Sequence, residues 1–403
     1  MRVLELRPQR AGTVDGWTRH ACEVLRLDGD RLQSRHSLWF DLPPEAPVWD
    51  DADAEPYLIA CLMQAMHEGR SLRVRGRVSR MLLENLEEYA AFWVTTAPAR
   101  YQHVAVDVDE VSPQACAPSP PTDTAHPAAA IAAFSGGLDA SFLVWRHHSG
   151  LAGLRTRQIR AAVMVAGFDI PCDSRVHFDA SFAVANGTLQ SLGMVLHPLR
   201  TNLRQVIKVP GEDLHGTSLA ACLQFYKAIA PTALLGSCEP YNHLVTPWGS
   251  SPLIDHLLSS ASLRIVHDGA EYTRSDKARL LAAWPFGADR IRVCWSDTHP
   301  GTNCLACEKC LRTMANFAVH GLPIPASLGG DVDRLNQRIS TVRLRSTAQA
   351  AEWRALRLVR RPGARDRWQR WITRLLWRYQ LRSVFHARLR PWLRRLAGRP
   401  PAR

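Results

Sequence analysis

Short apolar runs alternate with longer amphipathic segments through the middle of the chain. The runs at 131–134, 161–167 and 194–199 have the length of buried strands, whereas the segments beginning near 142 and 181 have helical spacing. A further apolar element at 228–235 fits either a strand or a helix. Strands that alternate with helices predict an α/β fold with a doubly wound, mostly parallel sheet.

The first 111 residues have a more mixed pattern that predicts a smaller α+β domain. It comprises predicted strands at 2–6, 36–42, 71–78 and 104–109 and predicted helices at 57–66 and about 79–92. No chemical motif stands out there, and we expect Glu84, Glu87 and Glu88 to form a solvated helix face. A segment with five prolines, 112–127, has the composition of a linker. We therefore predict an accessory domain at 1–111, a linker at 112–127, a main domain at 128–328 and a helical tail at 329–403.

The main domain opens with a candidate phosphate loop, Ser135-Gly136-Gly137-Leu138-Asp139. A strand, a glycine turn and a helix start point several backbone N–H groups at one spot, at the positive end of the helix dipole. Glycine lets the backbone approach an anion closely, and Asp139 suits a Mg²⁺ ion between phosphate oxygens. An ordinary turn between a strand and a helix is the alternative interpretation.

Two later segments add candidate residues. Asp169 or Asp173, after the second strand, either faces a ligand or caps a helix. In Thr-Arg-Ser-Asp-Lys, Ser275 or Asp276 fits a helix cap, and Lys277 is a candidate cation; the family resemblance described below implies that it neutralises charge on a leaving pyrophosphate.

The strongest local signal is a set of four cysteines, Cys294, Cys304, Cys307 and Cys310. Two successive x2 spacings and one more distant thiolate suit a tetrahedral Zn²⁺, and a closed four-sulfur site is structural. An iron–sulfur cluster is the alternative, and His299 is a spare candidate ligand.

The phosphate loop resembles that of the N-type ATP pyrophosphatases, whose motif reads Ser-Gly-Gly-x-Asp-Ser. This chain has Ala140 at the sixth position and Ser141 one residue later. The order of loop, Ser-Asp-Lys segment and cysteines, followed by Arg312, resembles the 7-cyano-7-deazaguanine synthases of queuosine biosynthesis. The resemblance covers about residues 128–320, and the flanking regions have no counterpart in those synthases.

The resemblance implies a nucleotide fold of the adenine nucleotide alpha hydrolase type and a carbon–nitrogen ligase. ATP would bind at Ser135 to Asp139 and at Ser141, a substrate carboxylate would be adenylated, pyrophosphate would leave, and an amine or ammonia would displace AMP. A deazaguanine-type substrate is the first expectation. A thiolating enzyme of tRNA, for which Cys172 and Cys238 are the nearby thiols, and a non-catalytic nucleotide sensor are the alternatives.

Composition and charge change this picture mainly at the C-terminus. The net charge is +13, but sixteen arginines and one acid lie between 353 and 403, so the remaining chain is close to neutral or slightly acidic. No apolar run is long enough to cross a membrane, the N-terminus lacks a signal core, and ten scattered or clustered cysteines favour a reducing compartment. We expect a cytoplasmic protein.

In the tail, arginines and apolar residues recur every three or four positions and predict an amphipathic helix. It either docks on the body, binds an acidic protein or an anionic membrane, or binds nucleic acid. The arginines are Arg367, Arg370, Arg374, Arg378 and Arg382, and the apolar residues are Trp368, Trp371, Ile372, Leu375, Leu376 and Tyr379.

Overall fold

The computed structural model describes residues 2–113, 129–294, 299–359 and 367–385. Within these ranges the chain forms eleven strands and twelve α-helices. The strands are β1 (Arg2–Pro8), β2 (Gly12–Val14), β3 (Trp17–Asp28), β4 (Arg31–Leu42), β5 (Ser71–Ser79), β6 (Val106–Ser112), β7 (Ala129–Ala133), β8 (Gln158–Ala166), β9 (Val195–Thr201), β10 (Thr232–Gly236) and β11 (Arg264–Asp268). The helices are α1 (Glu55–Glu68), α2 (Arg80–Thr96), α3 (Leu138–His148), α4 (Arg175–Gln190), α5 (Leu203–Val206), α6 (His215–Gln224), α7 (Arg274–Leu281), α8 (Pro285–Ala288), α9 (Glu308–Ala318), α10 (Asp333–Arg338), α11 (Thr347–Leu358) and α12 (Arg367–Val384).

All the strands belong to one mixed, mostly parallel sheet, which confirms the predicted α/β class. From one edge the order is β11-β10-β7-β8-β9-β4-β3-β1-β5-β6, and β2 pairs with β3. The five strands from β11 to β9 are parallel to one another. β7 lies in the middle of these five strands. β8 and β9 follow it on one side, and the chain then returns to the other side of β7 to add β10 and β11. Such a reversal leaves a crevice beyond the carboxyl ends of β7 and β10, where open α/β sheets bind ligands.

Helices cover both faces of this parallel region. Successive residues of β7 point to opposite faces, so Ala129 and Ile131 belong to one core and Ala130 and Ala132 to the other. The first core includes α1 and α6, and the second includes α3, α4, α7 and α9. Strands buried on both faces explain why the apolar runs of the sequence are continuous rather than alternating.

The N-terminal strands continue the same sheet. β4 is antiparallel to β9, with Phe40 opposite Thr201 and Asp41 opposite Arg200. The side chain of Asn202 strengthens this junction, because it accepts from Trp39 N and donates to Ser37 O. The sequence pattern did not predict this joining, since strand pairing between distant segments leaves no local signal. The proposed boundary near 111 stays a prediction, and residues 114–128 of the linker region lie outside the described residues.

Most predicted elements exist at nearly their predicted positions. The ambiguous segment 228–235 ends in a strand, β10, and Glu84, Glu87 and Glu88 lie on the exposed side of α2 as expected. The sequence analysis did not identify β2, β3 or β11.

The arginine-rich helix of the tail also forms, as α12. Trp368, Ile372, Leu375 and Leu376 are buried in the second core, so the helix docks on the body through its apolar face. Its arginines face the solvent. No helix among the described residues is both long and apolar enough to cross a membrane.

Candidate active site

The phosphate loop lies at the carboxyl end of β7. Gly136 has a φ of 73°, which is the left-handed region that favours glycine, and Gly137 is the N-cap residue of α3. No side chain of the described residues caps α3, so side-chain capping leaves its first N–H groups available to a ligand. Ser135 is exposed and Leu138 is buried. The loop therefore has the shape and the dipole of an anion site.

Ser141 lies in the first turn of α3. Its backbone N–H donates to Gly137 O over 2.9 Å. Its hydroxyl is buried and has no hydrogen-bond partner among the described residues. A buried hydroxyl without a partner is costly, and it is therefore a candidate for contact with a ligand.

Two cations of α7 reach the start of α3. Arg274 Nη2 lies 2.7 Å from Asp139 Oδ2, and Lys277 Nζ lies 3.2 Å from Asp139 Oδ1. Lys277 also donates to the backbone carbonyl of Ser237, at the end of β10. Burial disfavours ionisation of Asp139, but Arg274 and Lys277 outweigh burial and lower its pKa. Asp139 is therefore a carboxylate held between two positive side chains.

The start of α7 fixes these cations. Thr273 is its N-cap residue, and its hydroxyl accepts from Asp276 N while Asp276 accepts from Thr273 N, which forms a capping box. Of the two predicted caps, Asp276 therefore takes part in capping, whereas Ser275 lies inside the helix. The N-cap residue of α4 is Ser174, so neither Asp169 nor Asp173 caps that helix.

Glu352 of α11 is a part of this site that sequence reasoning missed. Its Oε2 lies 3.7 Å from Arg274 Nε and 3.3 Å from Arg312 Nη1. Arg312 also pairs with Glu308 at 2.9 Å. Glu352 therefore links the last part of the described chain to the cation that holds Asp139.

A shallow pocket opens beside Arg274. Glu239, His243, Asn316 and Glu352 are among the residues that line it. Burial raises the pKa of Glu239 to about 7, and Glu352 adds to this rise. Glu239 therefore changes its charge near neutral pH.

Asp169 follows the end of β8, and its side chain is exposed. Neighbouring groups partly desolvate the carboxyl, but Lys309, His215, Arg204 and Arg292 outweigh this and lower the pKa of Asp169. Arg204 also stacks over Phe168, with 5.4 Å between the guanidinium carbon and the ring centroid. Asp169 is therefore a carboxylate in a region of the surface that carries several basic side chains.

The four predicted cysteine ligands come together. All four sulfur atoms lie within 4.8 Å of one another, and those of Cys307 and Cys310 are 3.4 Å apart. Sulfurs that hold a tetrahedral zinc ion are about 3.8 Å apart, since each Zn–S bond is about 2.3 Å. Cys304 Sγ accepts from Cys307 N, and Cys307 Sγ accepts from Cys310 N. A hydrogen bond from Cys310 is the main factor that lowers the pKa of Cys307 to about 5. The cluster can therefore hold a metal ion such as zinc.

The cysteine cluster is connected directly to the phosphate loop. Asn303 accepts from Val293 N and Cys294 N and donates to Ile291 O and Ser327 O, so it holds the segment that supplies Cys294. In the same segment, Arg292 N donates to Gly136 O over 2.8 Å. Lys309, between two cysteines, is one of the cations around Asp169. A metal at the cysteines would thus stabilise the segment that contacts the loop and the helix start that carries Lys309.

Comparisons with protein-family models, with curated proteins and with solved structures found no match to this chain. The geometry of the site therefore carries the functional argument.

Proposed function

We propose that this protein is an ATP-dependent adenylating enzyme of the carbon–nitrogen ligase class. It would activate a substrate carboxylate as the acyl adenylate, release pyrophosphate and transfer the acyl group to an amine or ammonia, giving an amide. A second activation of the amide would give a nitrile. The observation that carries the proposal is the uncapped glycine turn at the start of α3, with Arg274 and Lys277 directly beside it.

These groups match what cleavage of ATP between its α and β phosphates requires. Backbone N–H groups and two fixed cations can bind the departing pyrophosphate and neutralise the charge that develops on it. In-line attack by a carboxylate needs positioning more than a protein base, so we nominate none. Asp139 and Lys277 remain the proposed catalytic residues.

The ion pairs of Asp139 suggest how the site responds to the nucleotide. Phosphate oxygens compete with Asp139 for Arg274 and Lys277, because they offer the same cations more negative charge. Asp139, once released, would be a ligand for Mg²⁺, which neutralises phosphate charge when bound. Ser135, Gly136, Gly137, Leu138 and Ser141 complete the proposed ATP site.

The region around Asp169 is the proposed substrate site. Its cations, Lys309 and Arg204, suit an anionic group such as a carboxylate, and Asp169 suits an amide or amine hydrogen. Together with the motif order that resembles 7-cyano-7-deazaguanine synthase, this favours a deazaguanine-type base or its conjugate as the substrate. We assign Zn²⁺ to Cys294, Cys304, Cys307 and Cys310 as a structural ion.

The thiolation alternative has less support from the geometry. It needs a reactive thiolate, but burial raises the pKa of Cys238 to about 12 and also raises the pKa of Cys172. A non-catalytic nucleotide sensor rests on Ala140 alone, and detection of AMP formation would exclude it.

The test is incubation with MgATP, 7-carboxy-7-deazaguanine and ammonium, with AMP, ADP and pyrophosphate separated by chromatography. We expect equal amounts of AMP and pyrophosphate, and a Lys277→Gln variant should lose most of this activity while a Lys208→Gln variant, altered at an exposed site, keeps it. ADP as the only nucleotide product would overturn the mechanism. ATP binding without turnover would instead contradict the substrate assignment.

A further inference from the structure

The side of α12 that faces away from the body carries large apolar side chains. Trp377 and Leu381 are exposed by 61% and 49%, and their spacing of four residues places them on one side of the helix. We call these two residues and the arginines around them, Arg370, Arg374 and Arg378, the outer face. Docking of α12 does not account for them, because Trp368, Ile372, Leu375 and Leu376 already form the docked face.

The outer face is also strongly basic. Arg370, Arg374 and Arg378 are exposed and project between the apolar side chains, at the spacing of one helix side. The sequence of α12 contains no acidic residue. Among the described residues these three arginines make no ion pair, although Arg374 lies over the ring of Trp371 at 5.0 Å. Their positive charge is therefore available to an external partner.

Basic and large apolar side chains on one exposed face fit the interfacial region of an anionic bilayer. There, aromatic and aliphatic side chains enter the boundary between headgroups and acyl chains while arginines bind lipid phosphates. Nucleic acid matches the arginines and Trp377, but an aliphatic side chain such as Leu381 offers a base no stacking partner. The chain beyond the described residues adds six arginines and no acid. We propose that the outer face of α12 docks this protein on the surface of an anionic lipid bilayer.

The experiment is co-sedimentation of the full-length protein with vesicles of phosphatidylcholine, with and without phosphatidylserine. Binding should require phosphatidylserine and weaken at least tenfold between low and high salt, since headgroup attraction is screened. The double variant Trp377→Ser/Leu381→Ser should bind at least tenfold more weakly at low salt. The Arg374→Gln/Arg378→Gln variant should also bind more weakly and show a smaller salt dependence.

Two controls separate docking on lipid from damage to the fold. Leu154→Ser removes a fully exposed apolar side chain elsewhere and should bind like the wild type. The melting temperatures of all variants should match the wild type, since the changed side chains are exposed. Equal binding to both vesicle types, or undiminished binding of the Trp377→Ser/Leu381→Ser variant, would overturn the proposal. RNA added as a competitor is a further test. If RNA removes the protein from the vesicles, and removes the Trp377→Ser/Leu381→Ser variant equally well, the face is assigned to nucleic acid instead.

Discussion

A buried cluster of charges connects the N-terminal strands to the main part of the chain. Lys227, which follows α6, pairs with Asp53 and with Glu55, the latter at 2.8 Å, and all three side chains are at most 2% exposed. Burial raises the pKa of Asp53 to about 7, although Lys227 acts in the opposite direction. Burial opposes protonation of Lys227, but the two carboxylates outweigh it and raise its pKa. The cluster therefore depends on all three partners.

Replacing Lys227 with methionine keeps most of the side-chain volume and removes the charge. Breaking a buried ion pair from one side typically costs about 3–5 kcal/mol of unfolding free energy, because the remaining charge stays buried without a partner. We expect the melting temperature at pH 8.5 to fall by about 5–10 °C. If both halves of the chain share one cooperative unit, the whole protein should unfold in that single lower transition.

The pH dependence gives a sharper test. A carboxyl whose folded pKa is above its unfolded value contributes stability that is complete below the unfolded pKa and is lost as pH rises through the folded pKa. For Asp53 this interval runs from about 4 to about 7 in the wild type. Without Lys227 the pKa of Asp53 in the folded protein rises further. The unfolding free energy of the variant should therefore keep falling above pH 7, by about 1.4 kcal/mol per pH unit for each proton that the folded state binds in excess of the unfolded state. The difference between variant and wild type should therefore grow from pH 6 to pH 8.5.

Thermal unfolding followed by circular dichroism at both pH values measures these changes. The neutral triple variant Asp53→Asn/Glu55→Gln/Lys227→Met should regain most of the lost stability, because it leaves no buried charge. Lys208→Met is the control at an exposed position. A Lys227→Met variant that melts within about 2 °C of the wild type at pH 8.5 would refute the reasoning.

Three further predictions concern the metal, the pocket and the tail. Elemental analysis should find about one zinc per chain, and a finding of iron or of no metal would contradict the zinc assignment. The Cys307→Ser variant should lower metal content and melting temperature far more than it lowers nucleotide affinity in the folded fraction. ATP affinity, measured in a binding titration, should fall on the order of threefold from pH 6 to 8, because ionised Glu239 repels the phosphates and competes for Arg274. The Glu239→Gln variant should lose this pH dependence. Truncation after Val359 should lower the melting temperature and increase binding of a hydrophobic dye, because it uncovers the surface under α12; unchanged stability would contradict docking.

Local patterns predicted the parts of the structure that depend on local chemistry. The glycine turn at Gly136 and the clustering of four cysteines both follow from residue types at short spacing, whereas the N-cap of α7 is Thr273 and not Ser275 or Asp276, the two residues predicted from the sequence. The strand β3 was missed although it has twelve residues, because its sequence mixes charged and apolar positions without a strict alternation. The pairing of β4 with β9 joins positions about 160 residues apart, and no short-range pattern encodes such a contact.

The same limit applies to the site. Asn303 has no motif of its own, and its role follows only from the four backbone groups that the fold brings around it. Lys309 lies within a recognised metal motif, yet the motif accounts for the cysteines and not for the residue between them. Both residues were identifiable only once the segment near Cys294 was placed beside the phosphate loop.

The C-terminal region is structurally part of the site rather than an appendage. Glu352 reaches Arg274 and Arg312, and its neighbour Trp353 is buried and donates to Glu308 at the start of α9, directly after Cys307. In turn, α12 packs on α11, which carries both residues. Only a short series of contacts thus separates the outer face of α12 from Asp139. α12 packs on α11, Glu352 of α11 pairs with Arg274, and Arg274 pairs with Asp139. The sequence left open whether the tail docks on the body; in the structure its buried face packs on α11, the helix that carries Glu352.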